Sequence, residues 1–206
     1  MRIVCLSDTH GQHRRLRVPD GDLLLHAGDF SMAGRPDEIE SFDRWLGTLP
    51  HPHKVVVAGN HDFLFEREPD RARALLVNAS YLQDGLLEVG GLRIWGSPWQ
   101  PWFFDWAFNL PRGPELAAKW ALVPGGVDVL VTHGPPAGIL DRTANDEGVG
   151  CRDLARALER ILPRLHVFGH IHESYGRLER DGTTFVNASN CDLKYQPAQA
   201  PIVVEL

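Results

Sequence analysis

Five runs of Val, Ile and Leu punctuate the chain: RIVCLS at 2–7, DLLLHA at 22–27, KVVVA at 54–58, VDVLVT at 127–132 and LHVF at 165–168. They show little alternation, and runs of this kind predict strands covered on both faces. Helical spacing fills several gaps between them. RPDEIESFDRWLGTL, 35–49, places Ile39, Phe42, Trp45, Leu46 and Leu49 on one face, with Pro36 in the first turn. EPDRARALLVN at 68–78 and CRDLARALERIL at 151–162 follow the same pattern. Strands alternating with helices predict a parallel-rich α/β core. LLEVGGLRIWGSP at 86–98 and YGRLERDGTTFVNAS at 175–189 predict hairpins, the second turning at Asp181-Gly182, and PIVVEL at 201–206 predicts a last strand. Hairpins added to a βα core suggest two mixed sheets with helices outside. No linker or repeat divides the chain, so one domain over 1–206 is expected.

The ends of the apolar runs carry the chemistry. They read Asp8-Thr-His10, Gly28-Asp29, Gly59-Asn60-His61-Asp62, His133-Gly134 and Gly169-His170-Ile-His172. Ligands of open α/β sheets bind beyond the carboxyl ends of the strands. Five neighbouring strands would then aim Asp8, His10, Asp29, Asn60, His133, His170 and His172 into one crevice. Imidazole, carboxylate and amide oxygen together suit Mn, Fe or Zn better than Ca or Mg. Seven donors exceed one tetrahedral site and suit two divalent metals sharing a carboxylate, as in phosphoryl-transfer hydrolysis. Singly, each residue has a structural reading: a turn cap for Asp8 or Asp29, a left-handed position for Asn60, a satisfied core group for any histidine. Together they point to a common site. His13, His51 and His53 in loop-like sequence, and His26 and His166 inside apolar runs, are read as structural.

Composition narrows the function classes. A formal charge of −6 argues against wrapping a nucleic-acid polymer, which needs Lys and Arg on phosphates. Cys5, Cys151 and Cys191 fit neither a disulfide framework nor a thiolate zinc site and are read as buried thiols. No apolar run reaches the ~18 residues of a membrane span, and Asp8 interrupts any signal-peptide pattern, so a soluble, cytoplasmic protein is expected. Neither the GxxxxGK phosphate loop nor the dinucleotide GxGxxG is present.

The set DxH…GD…GNHD…H…GHxH resembles the calcineurin-like metallophosphoesterase superfamily. Outside it, LLHAGDF, VVVAGNHDFLF, SPWQPWFFDWAFNLPRG, THGPP, LHVFGHIHESYG and NASNCDLKYQP resemble the metallophosphoesterase-domain-containing (MPPED-like) branch over nearly the whole chain. The resemblance implies a four-layer αββα sandwich and a di-metal hydrolase with phosphodiesterase activity, often Mn-dependent. Asp8, His10 and His172 would hold one metal, Asp29 would bridge, and Asn60, His133 and His170 would hold the second. His61 would face the substrate phosphate without binding metal. A hydroxide between the metals would attack phosphorus, Asn60 and His61 would stabilise the phosphoryl oxygens, and His61 could protonate the leaving oxygen.

One departure matters. Protein-phosphatase members carry GDxxDRG, whereas GDFSMAG places Met32 where the second acid stands. This lowers the phosphoprotein-phosphatase reading and removes a carboxylate partner for His61, leaving Asp62 as a weaker candidate. From Trp95 to Phe108 the chain holds seven aromatic residues. They read as a core plug between the sheets or as a wall where one ring stacks on a nucleobase. The expected substrate is a small phosphodiester, cyclic nucleotides among them. A phosphomonoesterase on the same site is the runner-up, and a nucleotide-binding or scaffold protein with weak turnover is the alternative from another class.

Overall fold

The computed structural model describes residues 1–206. The apolar runs become β1 (Arg2–Leu6), β2 (Leu23–His26), β3 (His53–Val56), β9 (Val129–Thr132) and β10 (Leu165–Phe168). Two large sheets form. The first joins β1, β2, β3 and the short β4 (Ser80–Tyr81) in parallel, with β13 (Ile202–Glu205) antiparallel on the outside of β1. The second runs in the order β11 (Gly176–Arg180), β12 (Thr183–Asn187), β10, β9, β6 (Leu92–Ser97), β5 (Gly85–Val89). Its four central strands are parallel and its two edges are the first arms of hairpins. Both hairpins expected from the sequence are there. Asp181 and Gly182, with φ of 51° and 79°, supply the two left-handed positions that a tight hairpin turn needs. The expectation of five neighbouring strands is corrected: β1, β2 and β3 belong to one sheet, β9 and β10 to the other. Buried apolar runs look alike in sequence whichever sheet they join.

Alternation of side chains along the strands explains the layering. Ile3, Cys5, Leu23, Leu25, Val55 and Val57 point inward against Ile94, Val129, Val131, Leu165, Val167 and Val186, forming the core between the sheets. Val4, Leu6, Leu24 and Val56 point outward. They bury Ile39, Phe42 and Leu46 of α1 (Pro36–Thr48), Leu64 and Phe65 of α2 (Phe63–Arg67), and Ala72 of α3 (Pro69–Leu75). On the far side Leu130, Phe168 and Phe185 bury Leu116 and Trp120 of α4 (Pro114–Ala121) with Leu154, Leu158 and Ile161 of α5 (Arg152–Ile161). Helices, sheet, sheet, helices is the four-layer sandwich. The remaining strands, β7 (Gln100–Pro101) and β8 (Asn109–Leu110), pair with each other across the aromatic loop.

Asp43 on α1, buried, accepts hydrogen bonds from the Val77 and Asn78 amides at 2.8 and 2.7 Å and from Asn78 Nδ2 at 2.7 Å, fixing the exit from α3. The cysteines are all free and buried; burial raises Cys5 and Cys191 to about 12. No helix is long and apolar enough to cross a membrane.

Candidate metal centre

At the carboxyl ends of both sheets the inter-sheet core stops and polar side chains take over. Just past β1 stand Asp8 and His10; past β2, Asp29; past β3, Asn60 and His61; past β9, His133; past β10, His170 and His172. Asp8, Asp29, Asn60 and His133 are almost wholly inaccessible to solvent. The backbone turns sharply at these positions. Asp8, His10, Asp29 and His170 all have positive φ, from 40° to 67°. Such conformations persist only where the surroundings enforce them, and they cluster at functional sites.

Glycines make room for the carboxylates. A Cβ on Gly59 would collide with Asp29 Oδ1, and one on Gly169 with Asp8 Oδ2 and Ser7 Oγ. The acids are further fixed by hydrogen bonds, those of Asp8 crossing between the sheets and that of Asp29 staying within one. Asp8 accepts from the His170 amide at 3.0 Å and from Ser189 Oγ at 3.0 Å. Asp29 Oδ1 accepts from the His61 amide at 2.8 Å.

The donors converge into overlapping groups: Asp8, His10 and His172; His10, Asp29 and His61; Asp29, His133 and His170. Asp29 is common to two of them. Its Oδ2 lies 3.9 Å from His10 Nε2 and 3.4 Å from His133 Nε2. Asn60 Oδ1 lies 2.8 Å from His133 Nε2. His10 Nε2 and His172 Nε2 face each other at 3.3 Å, with Asp8 Oδ1 3.2 Å from the latter.

Three features fit this set to divalent cations. First, backbone carbonyls accept from Nδ1 of His133 (Ala27, 2.9 Å) and His172 (Asp192, 3.0 Å), so each ring presents Nε2 to the cluster. This outer hydrogen bond is how metal-binding histidines are oriented. Second, the two buried carboxylates pair with histidines and with no Lys or Arg. Third, Asn60 Nδ2 is buried without a partner, the arrangement left when the amide oxygen is turned toward a ligand.

The electrostatics are strong. Burial would raise Asp8, yet His172, His133 and His10 outweigh it and hold its carboxyl well below the usual range; Asp29 is lowered likewise, chiefly by His133. Burial would lower His133 and His172, but Asp29 and Asp8 respectively raise them to about 9. His10 falls to about 4 and His170 to about 3 because burial wins there. Ligation requires deprotonated imidazole, so a cation between these groups competes with the protons on His133 and His172.

His61 has an acceptor that the sequence did not reveal. Its Nδ1 donates to the Met32 carbonyl at 2.8 Å. The Met32 side chain cannot replace the missing acid, and its neutral backbone oxygen serves instead as the acceptor that orients the ring. Glu38 in the first turn of α1 holds that loop by accepting from the Met32, Ala33 and Arg35 amides. Asp62 points elsewhere: it accepts from the amides of Asp29, Ser31 and Gly59 and from Ser31 Oγ. Burial, with Asp29 adding to it, raises Asp62 to about 7.

His10, Asp29, Asn60, His61, His170 and His172 line a cavity of about 300 Å³, while Asp8 and His133 do not reach its surface. The aromatic stretch divides between packing and cavity. Trp95 and Phe108 belong to the outer cores against the helices, not to the layer between the sheets. Trp102, Phe103 and Trp106 border the cavity, with the Trp106 ring centroid 4.7 Å from His61 and Phe103 6.3 Å from His170. Asn109 fastens this loop through Phe103 and Phe104 backbone groups. Tyr195, which no spacing argument selected, lies with its ring centroid 4.5 Å from that of His10, the two rings tilted by 58°. Its only sequence sign is its place in NASNCDLKYQP. His13, His26, His51, His53 and His166 lie outside the cavity lining.

Residues 1–174 match the family model described as calcineurin-like phosphoesterase. The chain is 47% identical to human metallophosphoesterase domain-containing protein 1, over all of this chain and 71% of that protein. It is 28% identical to a Synechococcus protein described as a probable cyclic nucleotide phosphodiesterase, over 90% of this chain and 71% of that one. The fold resembles the crystal structure of TT1561 of Thermus thermophilus, with a TM-score of 0.61, 15% identity, and coverage of 90% and 88% of the two chains.

Proposed function

Since the chain belongs to the calcineurin-like phosphoesterase family and is therefore a phosphoester hydrolase, we propose that it is a two-metal phosphodiesterase acting on small diesters, cyclic nucleotides among them. The observation that carries this reading is Asp29, whose Oδ2 faces His10 on one side and His133 on the other. Asp8, His10 and His172 would hold one ion, Asn60, His133 and His170 the other, and Asp29 both. Mn suits this mixture of imidazole, carboxylate and amide oxygen, with Fe and Zn as alternatives. When bound, the ions supply Lewis acidity toward phosphoryl oxygens and an activated water near neutral pH.

The chain's own groups do the rest. The Met32 carbonyl fixes the His61 ring, so Nε2 is the nitrogen free to meet the substrate. Carrying a proton there, His61 donates it to the departing ester oxygen. Asn60, placed beside it, orients the phosphoryl group. Phe103 and Trp106 border the cavity and exclude water from one side of a bound ester. An aromatic border suits a diester with a planar substituent, and the likeness to the Synechococcus probable cyclic nucleotide phosphodiesterase supports the same class. Met32 in place of a second acid counts against phosphoproteins.

The test is a panel of cyclic nucleotides, dinucleotides, bis-p-nitrophenyl phosphate and monoesters, run on metal-stripped protein resupplied with one metal at a time. Diester kcat/KM exceeding monoester kcat/KM with Mn²⁺ is the expected outcome. A strong preference for phosphoserine peptides overturns the assignment.

A further inference from the structure

The three tyrosines of the chain differ in one respect. The Tyr81 hydroxyl donates to Gln83 Oε1 at 3.1 Å and the Tyr175 hydroxyl to the Ala200 carbonyl at 2.9 Å. The Tyr195 hydroxyl has no partner within the protein, and Tyr195 is the one tyrosine bordering the cavity. Its ring centroid lies 4.5 Å from His10, 5.8 Å from His61 and 6.1 Å from His172.

The backbone places it there at a cost. Tyr195 has a φ of 57°, a conformation bulky residues rarely adopt. Asp192 enforces it. Asp192 Oδ1 accepts from the Lys194 and Gln196 amides at 2.8 and 2.9 Å, and its carbonyl accepts from the Tyr195 amide at 2.9 Å. That same carbonyl accepts from His172 Nδ1 at 3.0 Å. One residue therefore orients a candidate metal ligand and the tyrosine beside it. A ring serving only to fill space needs neither a strained backbone nor an unengaged donor.

We propose that Tyr195 is a substrate-contacting residue whose hydroxyl donates a hydrogen bond to a phosphoryl oxygen of the ester bound at the Asp/His cluster. A phenol is a donor at neutral pH and meets the oxygens on which charge gathers during phosphoryl transfer. The assignment rests on the phosphoester-hydrolase reading of the site but not on diester preference, because the oxygens concerned occur in monoesters too.

Tyr195→Phe removes the hydroxyl and keeps the ring. On whichever ester the wild type turns over fastest, it should lower kcat/KM about 10- to 100-fold, as loss of one hydrogen bond to a charged group implies. Metal content and melting temperature should match wild type. Tyr81→Phe, the control for losing a phenol elsewhere, should keep wild-type kinetics. Binding of inorganic phosphate to the metal-loaded protein, measured by calorimetry, gives a reading independent of turnover, and Tyr195→Phe should weaken it. A variant with wild-type kcat/KM, or one binding phosphate as tightly as wild type, overturns the proposal. A wild type that binds phosphate but hydrolyses no ester refutes the enzymatic reading instead, and the phosphate comparison still decides the role of Tyr195.

Discussion

His166 and His133 are equally buried and belong to neighbouring strands of one sheet, one inside its strand and the other just past the end, yet they shift in opposite directions. His166, in the middle of β10, lies 2.9 Å from Thr132 Oγ1, and burial lowers it to about 3. His133, one residue past β9, meets the Asp29 carboxylate and rises to about 9 against the same burial. His26 repeats the first pattern in the other sheet, 3.1 Å from Thr9 Oγ1 and lowered to about 3. His172 repeats the second. Burial alone keeps a histidine neutral, and a hydroxyl satisfies it there. Only a buried carboxylate recharges it. The boundary between core and site is therefore set by where Asp8 and Asp29 enter. His10 and His170 confirm that titration by itself is not the criterion: both are lowered, but their neighbours are the cluster and not the core.

The largest test of this boundary is Asp29→Ala. If Asp29 serves both ions, the variant should lose both, and diester hydrolysis should fall to background. Elemental analysis after dialysis measures this directly. One ion retained at full affinity contradicts the shared role. Under the same conditions His166→Gln should keep both ions, because His166 belongs to the core. Loss of metal from that variant breaks the comparison itself.

His61→Ala sharpens the comparison within the site, separating proton donation from binding. Acid catalysis contributes ~10²–10⁴-fold where the leaving group is a poor one, such as a ribose alkoxide. It contributes little for p-nitrophenolate, which departs without a proton. The variant should therefore lose far more kcat on a cyclic nucleotide than on bis-p-nitrophenyl phosphate, with metal content unchanged. Equal losses would place His61 on the phosphoryl oxygens, and loss of metal would make it a ligand.

The strand ends were legible because an apolar run that stops at Asp or His beside Gly is a local signal. The division of those ends between two sheets was not, since strand partners are set by distant packing. The same holds for His61: its acceptor is the Met32 carbonyl, and a backbone oxygen leaves no trace in residue type. The helix α2, five residues long, offered too few turns for a period to register. The aromatic stretch read as one block, whereas Asn109 and the outer cores split it into packed and cavity-facing rings. Tyr195 sits on a local turn built by Asp192, but its place beside His10 and the Asp192 carbonyl's bond to His172 are long-range consequences no spacing rule encodes.

The smallest effect concerns the core side of the boundary. His166 is lowered to about 3 in the folded chain, with burial the cause, against about 6.5 in the unfolded chain. Between those values the unfolded state binds more protons, so stability rises with pH there. The contribution is fully present above about pH 6.5 and is lost as pH falls toward 3. From pH 7.5 to pH 5 the loss should be about 2 kcal/mol for this one group, and His26 adds in the same direction. His166→Gln retains a group able to hydrogen-bond Thr132 Oγ1 but cannot titrate. Urea unfolding in the presence of a chelator, at pH 7.5 and pH 5, should show a flatter pH dependence for the variant by about that amount. Identical slopes would mean that the His166 ring takes up its proton in the folded chain, and the distinction between hydroxyl-satisfied and carboxylate-charged histidines would no longer follow the layers of the fold.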